Sequence, residues 1–314
     1  MTTRREWIRT MLGSAGMLTL DPGRLFAAEA KSAPLITRAI PKTGERLPII
    51  GLGSSATFSQ VARTEDVTAL REVMSRMVEM GGRVFDTAPG YGASEEVAGK
   101  IAQELGITER LFWATKLNVA RGGGSADPAA ARAQLETSFK RAGKRVIDLV
   151  QIHNMGDVRT QLPILREYKD KGRLRYIGVT TTFESQYEAL VETMRKEPLD
   201  FIGTDYAIDE RHAEDAILPL AQERGIAVLA YAPFGRRRLW SRVAGRNLPD
   251  WASEFGATTW AQFFLKFVAS HAAVTAVTPA TSRASNMADN MGAAVGRLPD
   301  AAMKKRMIAL LESL

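Results

Sequence analysis

Cysteine is absent from all 314 residues, which removes disulfides, thiolate nucleophiles and cysteine metal sites together. Histidine is almost as scarce. His153, His212 and His271 are the only three, so a histidine-rich zinc centre would need nearly all of them and no metal cofactor is expected. Blocks of like charge are missing too. The formal net charge of +7 is spread thinly among alternating acidic and basic residues, which argues against a nucleic-acid partner. No repeat of 20 to 50 residues, coiled-coil heptad or low-complexity tract interrupts the chain. What is present is a 45% hydrophobic fraction, enough for one barrel-sized core or for two smaller ones.

The first thirty residues read differently from the rest. Thr3-Arg4-Arg5-Glu6-Trp7-Ile8-Arg9 precedes a short, weakly apolar stretch over 11–20, and Ala28-Glu29-Ala30 follows as a small-x-small cleavage pattern. The segment resembles a twin-arginine export signal, which implies the export machinery as a partner and a periplasmic or exported location, with a solvated basic arm and a cytoplasmic protein as the plainer reading. Gly13, Ser14 and Gly16 break the stretch well short of the roughly 20 apolar residues that span a bilayer, so no stable membrane anchor is expected. Residues 1–30 are therefore set apart from a single domain over 31–314.

From residue 48 onward, short β-rich runs alternate with helical patterns. Strands are expected over 49–53, 83–87, 111–116, 146–152, 174–180, 201–205, 226–231 and 274–279. Eight strands alternating with helices point to an α/β fold, a closed (β/α)8 TIM barrel. Val67, Leu70, Val73, Met74, Met77 and Val78 form one apolar helical face that Gly81-Gly82 ends. Asp127-Pro128 reads as a helix start, and Trp260, Phe263, Phe264 and Phe267 as a packing face. Runs over 35–40 and 47–50 flank Lys42-Thr43-Gly44-Glu45, which predicts an N-terminal β-hairpin covering one barrel end; a terminal helix is expected over 300–314. Gly51-Leu52-Gly53-Ser54-Ser55-Ala56 imitates a dinucleotide-fold glycine pattern, but no acidic residue ends a second strand at the required distance. Gly122-Gly123-Gly124-Ser125 lacks the Gly-Lys-Ser/Thr of a phosphate loop and reads as a rim loop.

Barrel active sites lie at the C-terminal strand ends, and Asp86, Lys116 and His153 end or follow three consecutive strands. Neighbouring strands run about 4.8 Å apart, so these side chains converge. Tyr91 lies in the Pro- and Gly-containing loop after the first of them and reaches the same region. A phenol is a weak acid with a pKa near 10, and an ammonium beside it is expected to lower that value. Lys116 is the candidate ammonium, Asp86 its counter-charge, and His153 a donor able to polarise a carbonyl. Tyr91 is then a general acid in one direction and a general base in the other.

Several segments, in order, resemble the aldo-keto reductase family. They are Phe85-Asp86-Thr87-Ala88 with Tyr91-Gly92 and Ser94-Glu95, Ala114-Thr115-Lys116, Ile147-Asp148-Leu149-Val150-Gln151-Ile152-His153, Tyr176-Ile177-Gly178-Val179-Thr180, Leu229-Ala230-Tyr231-Ala232-Pro233-Phe234-Gly235 and Pro279-Ala280-Thr281 continuing to Asp289-Asn290. The likeness spans about residues 35–300. It implies reversible NAD(P)H-dependent reduction of an aldehyde or ketone, with Asp86, Tyr91, Lys116 and His153 as the catalytic set. It also leaves room for a slow or non-catalytic cofactor-binding regulatory module.

The same resemblance implies a cofactor lying across the barrel mouth. Tyr231 falls where an aromatic ring stacks on nicotinamide, with Thr180 and Thr181 where serine and asparagine usually hold the carboxamide, and Gly203 where glutamine is usual. Ser54, Asp86, Ala232, Phe234 and Gly235 are further cofactor contacts by position. At the adenosine end Ala280 and Asn286 replace the usual lysine and arginine, leaving Arg283 as the cation for a 2'-phosphate beside Thr281, Asp289 and Asn290. NADPH is the expected cofactor, with NADH also possible. Tyr91, Asn118, His153 and Trp240 are expected near a small-molecule carbonyl substrate.

Overall fold

The computed structural model of the chain describes residues 34–120 and 124–314. The expected export signal and the Gly122-Gly123 part of the rim loop lie outside the described residues. Strands β1 (Thr37–Ala39) and β2 (Arg46–Pro48) pair antiparallel as the expected hairpin. Eight parallel strands follow in unbroken sequential order: β3 (Leu52–Gly53), β4 (Val84–Asp86), β5 (Phe112–Leu117), β6 (Ile147–His153), β7 (Leu174–Thr180), β8 (Phe201–Asp205), β9 (Ala227–Tyr231) and β10 (Val274–Val277). Bridges Ile50↔Val277 and Gly53↔Ala280 join the two edges, so the sheet closes on itself. The fold is the (β/α)8 barrel with its N-terminal hairpin.

Four strands are shorter than the apolar runs predict, β4 by one residue at each end, β9 by one at its start, and β3 and β10 by more at one end. β3 covers only the last two of residues 49–53, and β10 ends at Val277 rather than 279. The remaining residues still pair locally: Val277 donates to the Ile49 carbonyl, Gly51 to Val277 and Gly53 to Pro279. Pro48 and Pro279 have no N–H to extend either ladder. The glycines of the false nucleotide motif are here for close approach. A Cβ on Gly51 would stand 2.6 Å from the Val84 carbonyl, and one on Gly53 2.5 Å from that of Thr278.

Helices α1 (Thr57–Val61), α2 (Thr68–Glu79), α3 (Ser94–Glu104), α4 (Pro128–Ala142), α5 (Val158–Asp170), α6 (Tyr187–Lys196), α7 (Ile217–Glu223), α8 (Arg238–Arg242), α9 (Trp260–Ser270), α10 (Ala284–Gly292) and α11 (Ala301–Glu312) follow in chain order. Their starts obey local chemistry. Asp127 accepts from Ala129 N before Pro128 opens α4, Thr259 accepts from Gln262 N at α9, and Asp300 from Met303 N at α11. The predicted face of α2 buries Leu70, Val73, Met74, Met77 and Val78. Among the described residues no helix is long and apolar enough to cross a membrane.

Strand alternation divides the core in two. Val84, Phe112, Ala114, Leu149, Tyr176, Phe201, Ala227, Leu229 and Ala276 fill the barrel, with Ile40 and Leu47 of the hairpin region plugging its lower end. Residues of opposite parity, such as Phe85, Trp113, Val150 and Ile202, pack outward against the helices. The hairpin is latched electrostatically: Glu45 pairs with Arg83 at 2.9 Å and with Arg175, and accepts from the Tyr176 hydroxyl at 2.8 Å.

Candidate active site

The same parity that fills the barrel decides which polar residues reach its mouth. Asp86 is in phase with Val84, Lys116 with Phe112 and Ala114, Gln151 and His153 with Leu149, Thr180 with Tyr176, Gly203 with Phe201, and Tyr231 with Ala227 and Leu229. All therefore project inward at the C-terminal rim. Register aligns them: Lys116 is level with Gln151, His153 with Thr180, and Thr180 with Gly203.

At the centre lies a buried ion pair. Lys116 Nζ donates to Asp86 Oδ2 at 2.7 Å and to the Thr87 carbonyl at 2.9 Å, with both side chains almost wholly buried. Burial opposes both charges, yet on Lys116 the attraction of Asp86, together with Tyr91, prevails and its pKa stands above the ordinary lysine value. The ammonium sits between two phenols, 5.1 Å from the Tyr91 ring centroid and 5.2 Å from that of Tyr231. The Tyr91 ring meets the His153 ring edge-on at 5.7 Å. The four residues singled out from the sequence thus share one small region.

One expectation about them is corrected. The Tyr91 phenol is raised above its usual pKa, because burial outweighs the Lys116 ammonium and Asp86 cancels part of that positive charge. Tyr91 therefore rests firmly protonated. A cavity of about 810 Å3 opens beside the group, with Lys116, Asn118, Ser125, His153, Asn154 and Asp157 in its walls. Polar side chains dominate that lining.

Other candidates have hydrogen-bond or ring partners of their own. Asn118 lines the cavity, but its Nδ2 donates to the His153 carbonyl at 2.8 Å and its Oδ1 accepts from Ala120 N, so it braces the rim. Thr181 turns its hydroxyl to Gln186 Oε1 at 2.5 Å and accepts from Phe183 N. Trp240 joins an aromatic group, 4.9 Å from Phe234 and 5.9 Å from Phe264 by ring centroid, outside the cavity lining. Asp289 is occupied by Thr259 Oγ1 at 3.0 Å and Gln262 Nε2 at 2.8 Å, pinning α10 to the start of α9 rather than offering a free carboxylate. Individual side-chain bonds of this kind leave no periodic trace in a sequence.

Gln151 was missed altogether. Its Oε1 accepts from the Tyr231 hydroxyl at 2.8 Å, and the same hydroxyl lies 3.2 Å from Asp86 Oδ1. The available signal was a polar residue at an inward barrel position, sharing parity with Leu149 and His153. Burial first, then the charge of Asp86, holds the Tyr231 phenol well above its usual pKa.

The periphery holds features suited to an extended anionic ligand. Ser54 is fully buried, and its hydroxyl has no hydrogen-bond partner among the described residues. After β9 the backbone takes positive φ at Ala232 and then at Gly235, Arg236 and Arg237 in succession, with the Gly235 and Arg237 N–H groups donating to the Ala232 and Phe234 carbonyls at 2.9 and 3.0 Å. Arg236 itself donates to the Thr182 carbonyl at 2.9 Å. Helix α10 begins at Ala284 after Arg283, with no side chain capping its first turn; Thr281 Oγ1 accepts from Arg283 N. Arg283 is exposed and makes no ion pair among the described residues.

The sequence profile of the Aldo/keto reductase family matches residues 49–307. The chain belongs to that family. Among its relatives, the aldo-keto reductase YhdN of Bacillus subtilis is 30% identical over 215 residues, 65% of this chain and 64% of that protein. The aldo-keto reductase str7 of Strobilurus tenacellus is 30% identical over 218 residues, 65% of this chain and 62% of that protein. The match thus spans just under two thirds of either relative. An aldo-keto reductase of Bacillus halodurans in its holo form superposes with a TM-score of 0.70 at 22% identity, covering 88% of this chain and 96% of that one. One from Klebsiella pneumoniae, in complex with NADP and acetate, gives 0.71 at 22% identity with the same coverage. These structures share the barrel fold.

Proposed function

We propose that the protein is an NADPH-dependent oxidoreductase that reduces an aldehyde or ketone to an alcohol, reversibly, with Tyr91 as the general acid and base. The observation that carries this reading is the convergence of Tyr91, Lys116, Asp86 and His153 beside the polar cavity. Family membership and the NADP complex of the Klebsiella relative support it.

The residues present fit the cofactor. The orphaned Ser54 hydroxyl and the uncapped start of α10 beside Arg283 are donors in want of an anion. Thr180 and Tyr231 would hold the nicotinamide end; Ala232, Phe234 and Gly235 the pyrophosphate turn; Thr281, Arg283, Asn286 and Asn290 the adenosine end. When bound, the reduced nicotinamide supplies the hydride that reaches the carbonyl carbon.

The chain's own part is proton management. Tyr91, kept protonated by burial, gives its proton to the carbonyl oxygen as charge develops there, while the His153 imidazole polarises the same oxygen. Lys116 then faces the phenolate that remains, and Asp86 keeps that lysine charged and in place. The amide, hydroxyl and carboxylate walls of the cavity favour a small polar carbonyl over a large apolar one. Purified Tyr91→Phe is expected to lose about 100-fold or more in kcat while binding NADPH as before; a variant turning over at the wild-type rate overturns the assignment. We also propose that residues 1–30 direct twin-arginine export to the periplasm. Fractionation of cells carrying Arg4→Lys with Arg5→Lys tests this, and an unchanged distribution refutes it.

A further inference from the structure

Gly203 is a glycine that the backbone does not require. It is absent from the positions of positive φ, and it sits inside β8 with inward parity. What requires it is space. A Cβ there would meet Tyr231 Cε2 at 2.3 Å, Thr180 Oγ1 at 2.7 Å and the Tyr231 hydroxyl at 2.8 Å. The volume of a side chain at 203 is filled instead by the edge of the Tyr231 ring, which reaches across the mouth to β6 and β4.

That reach has a chemical consequence. The Tyr231 hydroxyl donates to Gln151 Oε1 and lies on Asp86 Oδ1, while Lys116 holds Asp86 Oδ2. The phenol has one hydrogen, shared between Gln151 Oε1 at 2.8 Å and Asp86 Oδ1 at 3.2 Å. One carboxylate oxygen is therefore held by the ammonium and the other by this longer, shared hydrogen bond. The Tyr231 hydrogen bond and those of Lys116 work against the burial that pushes the Asp86 carboxyl up. Resting on the proposed reading, in which the nicotinamide stacks on Tyr231, one ring then serves as cofactor platform and as a bracket for the acid/base network.

We propose that Gly203 and Tyr231 form one positioning unit, in which the missing side chain at 203 sets the Tyr231 ring orientation and the Tyr231 hydroxyl couples that ring to Asp86. Any side chain at 203 displaces the ring and loosens the carboxylate together. Tyr231→Phe keeps the ring but cuts the coupling.

The test uses the full chain with Gly203→Ala, Tyr231→Phe, Tyr231→Ala and the double variant Gly203→Ala with Tyr231→Ala. Thermal unfolding gives the steric part: the Tm loss caused by Gly203→Ala is expected to shrink by more than half once Tyr231 is alanine. NADPH titration, followed by quenching of protein fluorescence, gives the platform part. Gly203→Ala is expected to weaken binding about tenfold, and Tyr231→Phe by less than about threefold. The pH profile of kcat gives the coupling: losing the hydroxyl removes a donor to carboxylate, so the acid limb moves to higher pH in Tyr231→Phe. An equal Tm loss in both backgrounds, or an acid limb unmoved in Tyr231→Phe, overturns the proposal. If wild-type protein binds neither NADPH nor NADH, the functional reading fails, and the unfolding cycle still decides whether 203 and 231 act as a unit.

Discussion

Tyr91 and Tyr231 offer the same phenol to the same ammonium from almost equal distances, yet their surroundings separate their roles. Tyr231 is tied by its hydroxyl to Gln151 and Asp86, and burial beside that carboxylate leaves it the more reluctant acid. Tyr91 faces His153 beside the cavity and receives help from the charge and hydrogen bond of Lys116 and from the charge of Arg236. The sign of the lysine effect makes a prediction. Lys116→Met removes two influences that lower the Tyr91 pKa, so the phenolate needed for alcohol oxidation forms only at higher pH. In the oxidation direction the rising alkaline limb should move up, and kcat at neutral pH should drop about 100-fold or more. An alkaline limb at the wild-type position would show that Lys116 does not act through Tyr91. Because the change leaves Asp86 buried without its partner, the variant's melting curve must be recorded beside its kinetics.

Among the elements, α10 is the proposed seat of the cofactor preference. Its first turn offers uncapped N–H groups, Arg283 precedes it with no competing ion pair among the described residues, and the expected partner Asp289 has turned to Thr259 and Gln262. Arg283→Ala should weaken NADPH binding about tenfold and leave NADH binding unchanged, the size of one charged hydrogen bond. Equal losses for both nucleotides would locate the arginine's effect elsewhere. The strands explain why so much was legible beforehand. Barrel sites lie at strand ends, so Asp86, Lys116 and His153 could be placed at one rim once eight strands were recognised. Tyr231 was placed by the family resemblance, and period-two alternation accounts for the inward direction of all four. The loops obey no such rule: Thr181 and Trp240 found partners in Gln186 and Phe234 a few residues away, and Asn118 in the His153 carbonyl of the neighbouring strand. Charge balance was equally hidden, since the Tyr91 shift depends on depth and on Asp86 offsetting Lys116, neither of which spacing reveals.

At the scale of the whole molecule, stability against pH is set partly by charges buried far from the mouth. Lys266 on α9 is fully buried, without a carboxylate partner among the described residues, and donates to the Val295 and Arg297 carbonyls at 2.6 and 2.9 Å, just beyond α10. Burial lowers its pKa to about 8. In the unfolded chain the same amine titrates near about 10.4. Between those values the unfolded chain binds the extra proton, so this residue's contribution to stability rises with pH, is complete above the unfolded value and is lost as pH falls through about 8. The neutral amine keeps enough N–H groups for both carbonyls, so the bonds survive deprotonation. Lys266→Met removes the titration while retaining bulk. Urea unfolding of both proteins at pH 7 and pH 9.5 should therefore show wild type gaining stability relative to the variant as pH rises. A difference that stays constant across that interval would mean that the amine keeps an ordinary lysine pKa in the fold, with burial at α9 offset by the carbonyls it caps.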